Sequence, residues 1–113
     1  MKKLLLILLC LPLIGFGQTA YDYYMQGIEY QDLGEYQLAI NNFTKAIRTD
    51  SDAAAYYNRG WVYYKLKNYE DAIADFTRAI RIDPDDADAY VNRGIAYYNR
   101  GLAYHNLGNY EDA

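Results

Sequence analysis

The chain has 113 residues, enough for one small domain, and a formal net charge of −4 at pH 7. This acidity argues against a protein that binds nucleic acid independently of sequence, because such proteins need a cationic face. Tyrosine is abundant, with 15 residues, whereas His105 is the only histidine and Cys10 the only cysteine. Since catalysis requires a constellation of side chains that this composition does not offer, we expect no enzyme, no cofactor and no metal site.

Residues 1–17 have the pattern of a secretory signal peptide. Two lysines precede an apolar run over residues 4–14, and Gly15 and Gly17 supply small side chains at the two places where a signal peptidase needs them. The run is shorter than the roughly 20 residues of a membrane span, and a lipoprotein signal at Cys10 lacks the small residue that should precede it. We therefore expect cleavage near Gly17-Gln18 and export to the periplasm or beyond, without an integral membrane span.

Residues 20–52 predict two helices joined by a turn. Leu33-Gly34-Glu35 forms the turn, with Gly34 in the left-handed conformation of a helix C-cap. In the second helix, apolar side chains recur every three or four residues, which places them on one face. These residues are Tyr36, Ala39, Ile40, Phe43, Ala46 and Ile47. The segment is predicted to form an amphipathic helical hairpin.

Residues 53–86 repeat this organisation. The apolar positions of the second helix recur 33 residues later, at Tyr69, Ala72, Ile73, Phe76, Ala79 and Ile80. Asn68 lies between the two helices, where a C-cap tolerates Asn, and Asp83-Pro84 ends the second helix. In the first helix, Gly60 allows a neighbouring helix to approach closely.

Residues 87–113 begin a third, partial unit. Residues 92–98 are followed at once by a near copy of themselves at 99–105. Because seven residues are almost two helical turns, the copy stays on nearly the same helix face. We predict one lengthened helix over about residues 87–107, and the alternative is a break or kink near Arg100-Gly101.

The third unit reaches only one turn of its second helix, from Asn109 to Ala113. A stack of repeats needs a polar capping element at its end. We therefore expect either a fragment of a longer protein or an open edge that supports self-association.

A period of 33–34 residues in two-helix units predicts stacked helical repeats. The chain resembles the tetratricopeptide repeat (TPR) family, whose pattern is W-x2-L-G-x2-Y, A-x3-F, a later Ala and a Pro. Tyr23 and Tyr56 stand where the pattern has Trp, Arg59 where it has Leu, and Ser51 where it has Pro. The residues that match, including the two candidate glycines of the third unit, are Gly27, Tyr30, Ala39, Phe43, Ala46, Gly60, Tyr63, Ala72, Phe76, Ala79, Pro84, Gly94 and Gly101.

The resemblance implies an all-α solenoid, a right-handed superhelix of about two and a half repeats, whose first helices line a concave groove. The side chains at groove positions are Tyr24, Ile28, Tyr57, Trp61, Tyr64, Val91, Ile95 and Tyr98. Aromatic residues are favoured as binding anchors because they bury much area at low entropic cost. We predict that this groove binds a peptide or helix of a partner protein, and that Trp61→Ala weakens binding more than it lowers stability. The alternative is that these rings only pack against neighbouring repeats.

Three further interpretations concern polar residues. The clamp with which some family members grip a chaperone carboxylate is not expected. Asn58 matches one of its positions, but its basic residues are absent, because the other positions hold Tyr24, Ile28, Asp88 and Asn92. Arg59 and Arg93, each before a glycine, form either a basic ladder for an acidic ligand or pairs with acids of adjacent helices. The acidic run over residues 83–88 does not match a calcium loop, and favourable placement at a helix start explains it.

The resemblance leaves the function open, because TPR scaffolds serve many partners. Our first hypothesis is a non-catalytic scaffold that binds a partner protein outside the cytoplasm. The alternative is an N-terminal module of a longer exported enzyme or sensor. A third possibility is a small-ligand site in the Tyr/Trp groove, which a ligand-induced change in Trp61 fluorescence would support.

Overall fold

The computed structural model describes the backbone of residues 18–112 and the side chains of residues 18–105. This part of the chain forms five helices and no strand: α1 (Ala20–Asp32), α2 (Tyr36–Thr49), α3 (Ala53–Lys65), α4 (Tyr69–Ile82) and α5 (Ala87–Asp112). Helix α1 packs on α2, α2 on α3, α3 on α4 and α4 on α5. The predicted all-α solenoid of helical hairpins is confirmed. The expected signal peptide lies outside the described residues.

Helix α1 begins with a capping box at Thr19. The Thr19 backbone N–H donates to the Asp22 carboxylate at 3.0 Å, and the Asp22 N–H donates to the Thr19 hydroxyl at 3.2 Å. These bonds satisfy donors that a helix start otherwise leaves without partners. Helix α1 therefore has a defined start, with its cap two residues after the expected cleavage position.

One tight turn connects the two helices of each hairpin, and the two turns are of the same type. In the first, Gly34 has a φ of +75°, and the N–H of Glu35 donates to the Tyr30 carbonyl at 2.9 Å. In the second, Lys67 has a φ of +63°, and the N–H of Asn68 donates to the Tyr63 carbonyl at 2.9 Å. Both are Schellman C-caps, and the predicted left-handed role of Gly34 is correct.

The predicted C-cap role of Asn68 is wrong, because Lys67 takes the left-handed conformation at the position of Gly34. Asn68 is instead the N-cap of α4, where its side-chain oxygen accepts from the Asp71 N–H at 3.4 Å. Its amide also donates to the Asp71 carboxylate at 2.6 Å. An asparagine favours both sites, so residue type alone did not separate them.

The apolar core runs between the helices as three successive clusters. Each joins the second helix of one repeat to the first helix of the next, and Phe43, Val62 and Phe76 are its largest fully buried side chains. A Cβ atom on Gly27 would lie 2.6 Å from the Phe43 ring, and one on Gly60 would lie 2.9 Å from the Phe76 ring. Both glycines are therefore needed for close packing within their hairpins.

Helix α5 runs without interruption over 26 residues, so the duplicated segment lies in one helix. The proposed break near Arg100-Gly101 is absent. The separate second helix expected from Asn109 is also absent, because α5 continues to Asp112. One turn offers too little apolar surface to compensate for interrupting a hydrogen-bonded helix.

Candidate functional site

The predicted groove residues lie on α1, α3 and α5, the first helices of the repeats. We call this set the first-helix face: Tyr24, Ile28, Tyr57, Trp61, Tyr64, Val91, Ile95 and Tyr98. The five members on α1 and α3 are half-buried, whereas the three on α5 are exposed. The exposed fractions are 60% for Val91, 41% for Ile95 and 68% for Tyr98. The α5 end of the face is thus the part most open to a partner.

The aromatic residues of α3 also hold neighbouring repeats together. Trp61 packs against the first two core clusters, and its ring meets Tyr36 edge-on, with centroids 6.4 Å apart. The ammonium of Lys65 lies 5.1 Å from the Trp61 ring centroid. Tyr57 packs on Phe76 with centroids 5.8 Å apart. We therefore expect Trp61→Ala to lower stability as well as binding, so Tyr98 offers a cleaner test of binding.

A ladder of asparagine–tyrosine hydrogen bonds joins the first helices across the face. The side-chain amide of Asn58 donates to the Tyr24 hydroxyl at 3.0 Å, and that of Asn92 donates to the Tyr57 hydroxyl at 2.6 Å. A third bond, from Asn99 to Tyr64 at 3.0 Å, arises from the duplicated segment. We call these bonds the Asn–Tyr ladder.

Sequence reasoning missed the ladder, although its signal was present. Asn58 and Asn92 stand 34 residues apart, Tyr24 and Tyr57 stand 33 apart, and Asn99 follows Asn92 by seven. Asn58 was interpreted from sequence only as one position of a carboxylate clamp. A search for Asn and Tyr residues that recur at the repeat period of 33–34 residues would have found the ladder.

The ladder leaves both acceptors and donors on the face. The side-chain amides of Asn58 and Asn99 each donate a second hydrogen bond to a backbone carbonyl of their own helix, at 2.8 and 2.9 Å. Their side-chain oxygens therefore remain as acceptors. Burial raises the pKa of Tyr24 and of Tyr57, and for Tyr57 the acids Asp88 and Asp86 add to this. These hydroxyls stay protonated at neutral pH and can donate to a partner.

Arg59 has a structural role instead. Its guanidinium donates to both carboxylate oxygens of Asp75 at 2.7 Å and to the Thr44 hydroxyl at 3.1 Å. The guanidinium carbon lies 5.6 and 5.9 Å from the ring centroids of Tyr56 and Tyr63. Of the two interpretations left open for Arg59, pairing with an acid of the adjacent helix is the one the geometry supports.

The Arg59–Asp75 pair is mostly withdrawn from water. Burial would lower the pKa of Arg59, but its bonds to Asp75 outweigh burial and raise that pKa. For Asp75, burial raises the pKa although Arg59 opposes the shift. The raised pKa of Arg59 favours a charged pair, whereas the raised pKa of Asp75 favours a neutral carboxyl group. The two bonds of 2.7 Å decide between them, because hydrogen bonds this short between a guanidinium and a carboxylate favour the ionised form of both groups.

Two further observations bear on the chemistry available. Across residues 18–105, no group of three or more His, Cys, Asp or Glu side chains is arranged to hold a metal ion. Within the described helices, none combines the length and apolar character required to cross a membrane. The arrangement offers apolar rings, amide oxygens and hydroxyls, which suit recognition of another polypeptide.

Solved structures of similar shape support this view of the fold. They include a crystal structure of MamA protein, at 31% identity and a TM-score of 0.73 over 82% of this chain and 51% of that chain. The second TPR of Spaghetti (RPAP3), bound to the HSP90 peptide SRMEEVD, matches at 30% identity and 0.72 over 83% of this chain and 88% of that one. The Arabidopsis OM64 TPR domain matches at 26% identity and 0.69, with coverage of 77% and 71%. This chain thus spans about half the length of the MamA chain.

Sequence comparison identifies the family. Comparison with curated proteins finds no match. Tetratricopeptide repeat models match residues 24–87, which is more than half of the chain, and residues 94–113. The paired helices, the packing glycines and the repeat period fit these matches, and the protein belongs to the tetratricopeptide repeat family.

Proposed function

We propose that this protein is a non-catalytic, exported binding module that holds a peptide or helix of a partner protein against the first-helix face. The observation that carries the proposal is the exposed apolar run of Val91, Ile95 and Tyr98 on α5. Tyrosine is among the residues that supply most of the binding energy where they are buried at the centre of an interface, and Val91 and Ile95 add apolar area beside Tyr98. The Asn–Tyr ladder lies beside them and offers hydrogen bonds to a peptide backbone.

The proposed partner segment carries apolar anchors and no acidic tail. The Spaghetti (RPAP3) domain is bound to the peptide SRMEEVD, which contains three acidic side chains. In this chain Asp86 and Asp88 stand at the start of α5, near Tyr57, whose pKa they raise. These carboxylates would repel an acidic peptide at that end of the face. A neutral or basic segment fits the local charge better.

Export is the second part of the proposal. Its support is the lysine-start, apolar and small-residue pattern of residues 1–17, together with a helix cap at Thr19 immediately beyond the expected cleavage position. When the full chain is produced in a bacterium, we expect the exported fraction to contain protein that begins at Gln18. Uncleaved protein confined to the cytoplasmic fraction would contradict export.

The binding proposal is tested with a peptide selected from a displayed random library against the purified protein. We expect Tyr98→Ala to weaken binding of the selected peptide at least tenfold while leaving the unfolding midpoint unchanged, since Tyr98 is 68% exposed. Leu38→Ala is the matched control, because Leu38 is an exposed apolar residue on α2, outside the first-helix face. Binding that survives Tyr98→Ala but is lost in Leu38→Ala would refute the proposal.

A further inference from the structure

One register position of the Asn–Tyr ladder holds residues of other types. The third bond of the ladder joins Asn99 of α5 to the Tyr64 hydroxyl of α3 at 3.0 Å. One repeat earlier, 33 residues before Tyr64 and 34 before Asn99, stand Gln31 of α1 and Lys65 of α3. Because another ladder bond already joins α1 to α3, this register sets Gln31 and Lys65 opposite each other. Within the described part of the chain, neither side chain forms a hydrogen bond.

The side-chain oxygen of Gln31 is a buried acceptor without a donor. Among the described side chains it is the one buried polar atom that has no hydrogen-bond partner. Such atoms are few in native proteins, because an acceptor withdrawn from water without a donor lowers stability. A half-turn of the amide would only bury its nitrogen instead. Gln31 as a whole is half-buried, so rotation of its side chain brings the amide to the first-helix face and breaks no hydrogen bond.

Lys65 has hydrogen-bond donors but does not give one to Gln31. Its ammonium lies 5.1 Å from the ring centroid of Trp61, a member of the first-helix face. It forms no ion pair within 4.0 Å among the described residues, and the residue is exposed. An ammonium carries three N–H groups, and a ring face does not satisfy them as a carbonyl oxygen would. Lys65 can therefore donate to an acceptor that a partner brings to Trp61.

An acceptor opposite a donor is complementary to a carboxamide, which carries both an NH₂ group and a carbonyl oxygen. A carboxylate would pair with Lys65 but repel the Gln31 oxygen, and an ammonium would do the reverse. We propose that Gln31 and Lys65 bind the side-chain carboxamide of an Asn or Gln in the partner segment, beside the Trp61 ring. This inference rests on the proposed function and deepens it, because the segment must first lie on the first-helix face.

The variant Gln31→Leu tests the unpaired acceptor and its role in binding together. Leucine has a similar size and no polar atom, so the variant should raise the unfolding midpoint by about 4–8 °C. It should also bind the library-selected peptide at least tenfold more weakly, because the carboxamide loses its acceptor. Gln37→Leu, which alters an exposed glutamine of α2, is the matched control and should keep the affinity. A Gln31→Leu variant that keeps the affinity, or that is less stable, would overturn the proposal.

Changes in the peptide identify the group that is bound. We expect the selected peptides to share an Asn or Gln at one position, and we expect its replacement by Asp or Leu to weaken binding at least tenfold. In the Gln31→Leu protein the same replacement should have almost no further effect, because the two groups interact with each other. Selected peptides without a shared Asn or Gln, or losses that add in full, would refute the carboxamide site.

The double variant Gln31→Tyr, Lys65→Asn copies the residue types of Tyr64 and Asn99. It should form a bond of its own and lose the preference for a carboxamide over an aspartate in the peptide. Tyr98→Ala separates this inference from the proposed function. A peptide that depends on Tyr98 but not on Gln31 or Lys65 would leave the binding face in place and remove the carboxamide site. A peptide that depends on none of the three would remove both.

Discussion

Repeat one (α1 and α2) and repeat two (α3 and α4) build the same apolar core but differ in their polar contacts. In both, a phenylalanine packs on a glycine so closely that a Cβ atom would lie 2.6 or 2.9 Å from the ring. The turn residue with positive φ is Gly34 in one and Lys67 in the other. A neutral Asn42 in repeat one corresponds to an ion-paired Asp75 in repeat two. Apolar spacing thus determines the hairpin, whereas polar residues vary within it.

The largest expected effect comes from breaking the ion pair that distinguishes repeat two. Asp75→Asn should lower the free energy of unfolding by about 2–3 kcal/mol, because Arg59 loses two charged bonds while it remains largely buried. Urea unfolding followed by helical circular dichroism measures this change.

The double variant Arg59→Gln, Asp75→Asn sharpens the same test. It gives repeat two the residue types of repeat one, Gln26 and Asn42, and should recover part of the lost stability. A double variant no more stable than Asp75→Asn alone would contradict the idea that the neutral residues of repeat one and the ion pair of repeat two can replace each other.

The packing glycines give the next largest effect. Gly27→Ala should destabilise the protein by about 1–2 kcal/mol, because crowding against Phe43 exceeds the helix propensity gained by alanine. Gly94→Ala is the control, since its Cβ position meets no neighbour within 4 Å, and it should stabilise by about 0.5–1 kcal/mol. Thermal unfolding distinguishes the two, and changes of the same sign would show that glycine does not serve close packing here.

The turns give a smaller effect of opposite sign in the two repeats. Lys67→Gly should raise the free energy of unfolding by about 0.5–1 kcal/mol, because glycine adopts the φ of +63° without strain. Gly34→Lys should lower it by a similar amount. Chemical denaturation of both variants checks this, and a destabilising Lys67→Gly would mean that the lysine side chain has a role beyond the turn.

A similarly small effect concerns the Asn–Tyr ladder between the repeats. Tyr57→Phe should cost about 0.5–1 kcal/mol, since it removes the acceptor of the 2.6 Å bond from Asn92. Tyr36→Phe serves as the control, because among the described residues Tyr36 contributes its ring contact with Trp61 and no side-chain hydrogen bond. Equal losses in the two variants would assign the ladder no share in stability.

Much of the fold followed from apolar spacing and turn chemistry. The turn at residues 33–35 with its left-handed Gly34, the end of the fourth helix before Asp83-Pro84 and the lengthened α5 agree with predictions from sequence. The role of Asn68 was misassigned because an asparagine suits either side of a turn. The missing turn before Asn109 could not be foreseen from a pattern match, because a second helix forms only when enough apolar surface is available to pack it.

The site was harder to predict than the fold. The sequence pattern placed eight residues on one face, but Tyr98 is exposed whereas Trp61 is half-buried against the core. Exposure depends on which helices cover each repeat, and the residue pattern does not give this. The same limit applies to Gly94 and Gly60, which share a motif and differ in whether a neighbouring ring reaches them. The Asn–Tyr ladder depends on the angle between successive first helices, which residue spacing within one helix does not specify.

The most direct test of the proposed function is hydrogen–deuterium exchange of the protein with and without the library-selected peptide. We expect added protection in α3 and in the first half of α5, around Trp61 and Ile95, with little change in α2 and α4. Protection confined to α2 and α4, which lie outside the first-helix face, would contradict the assignment of this face as the binding site.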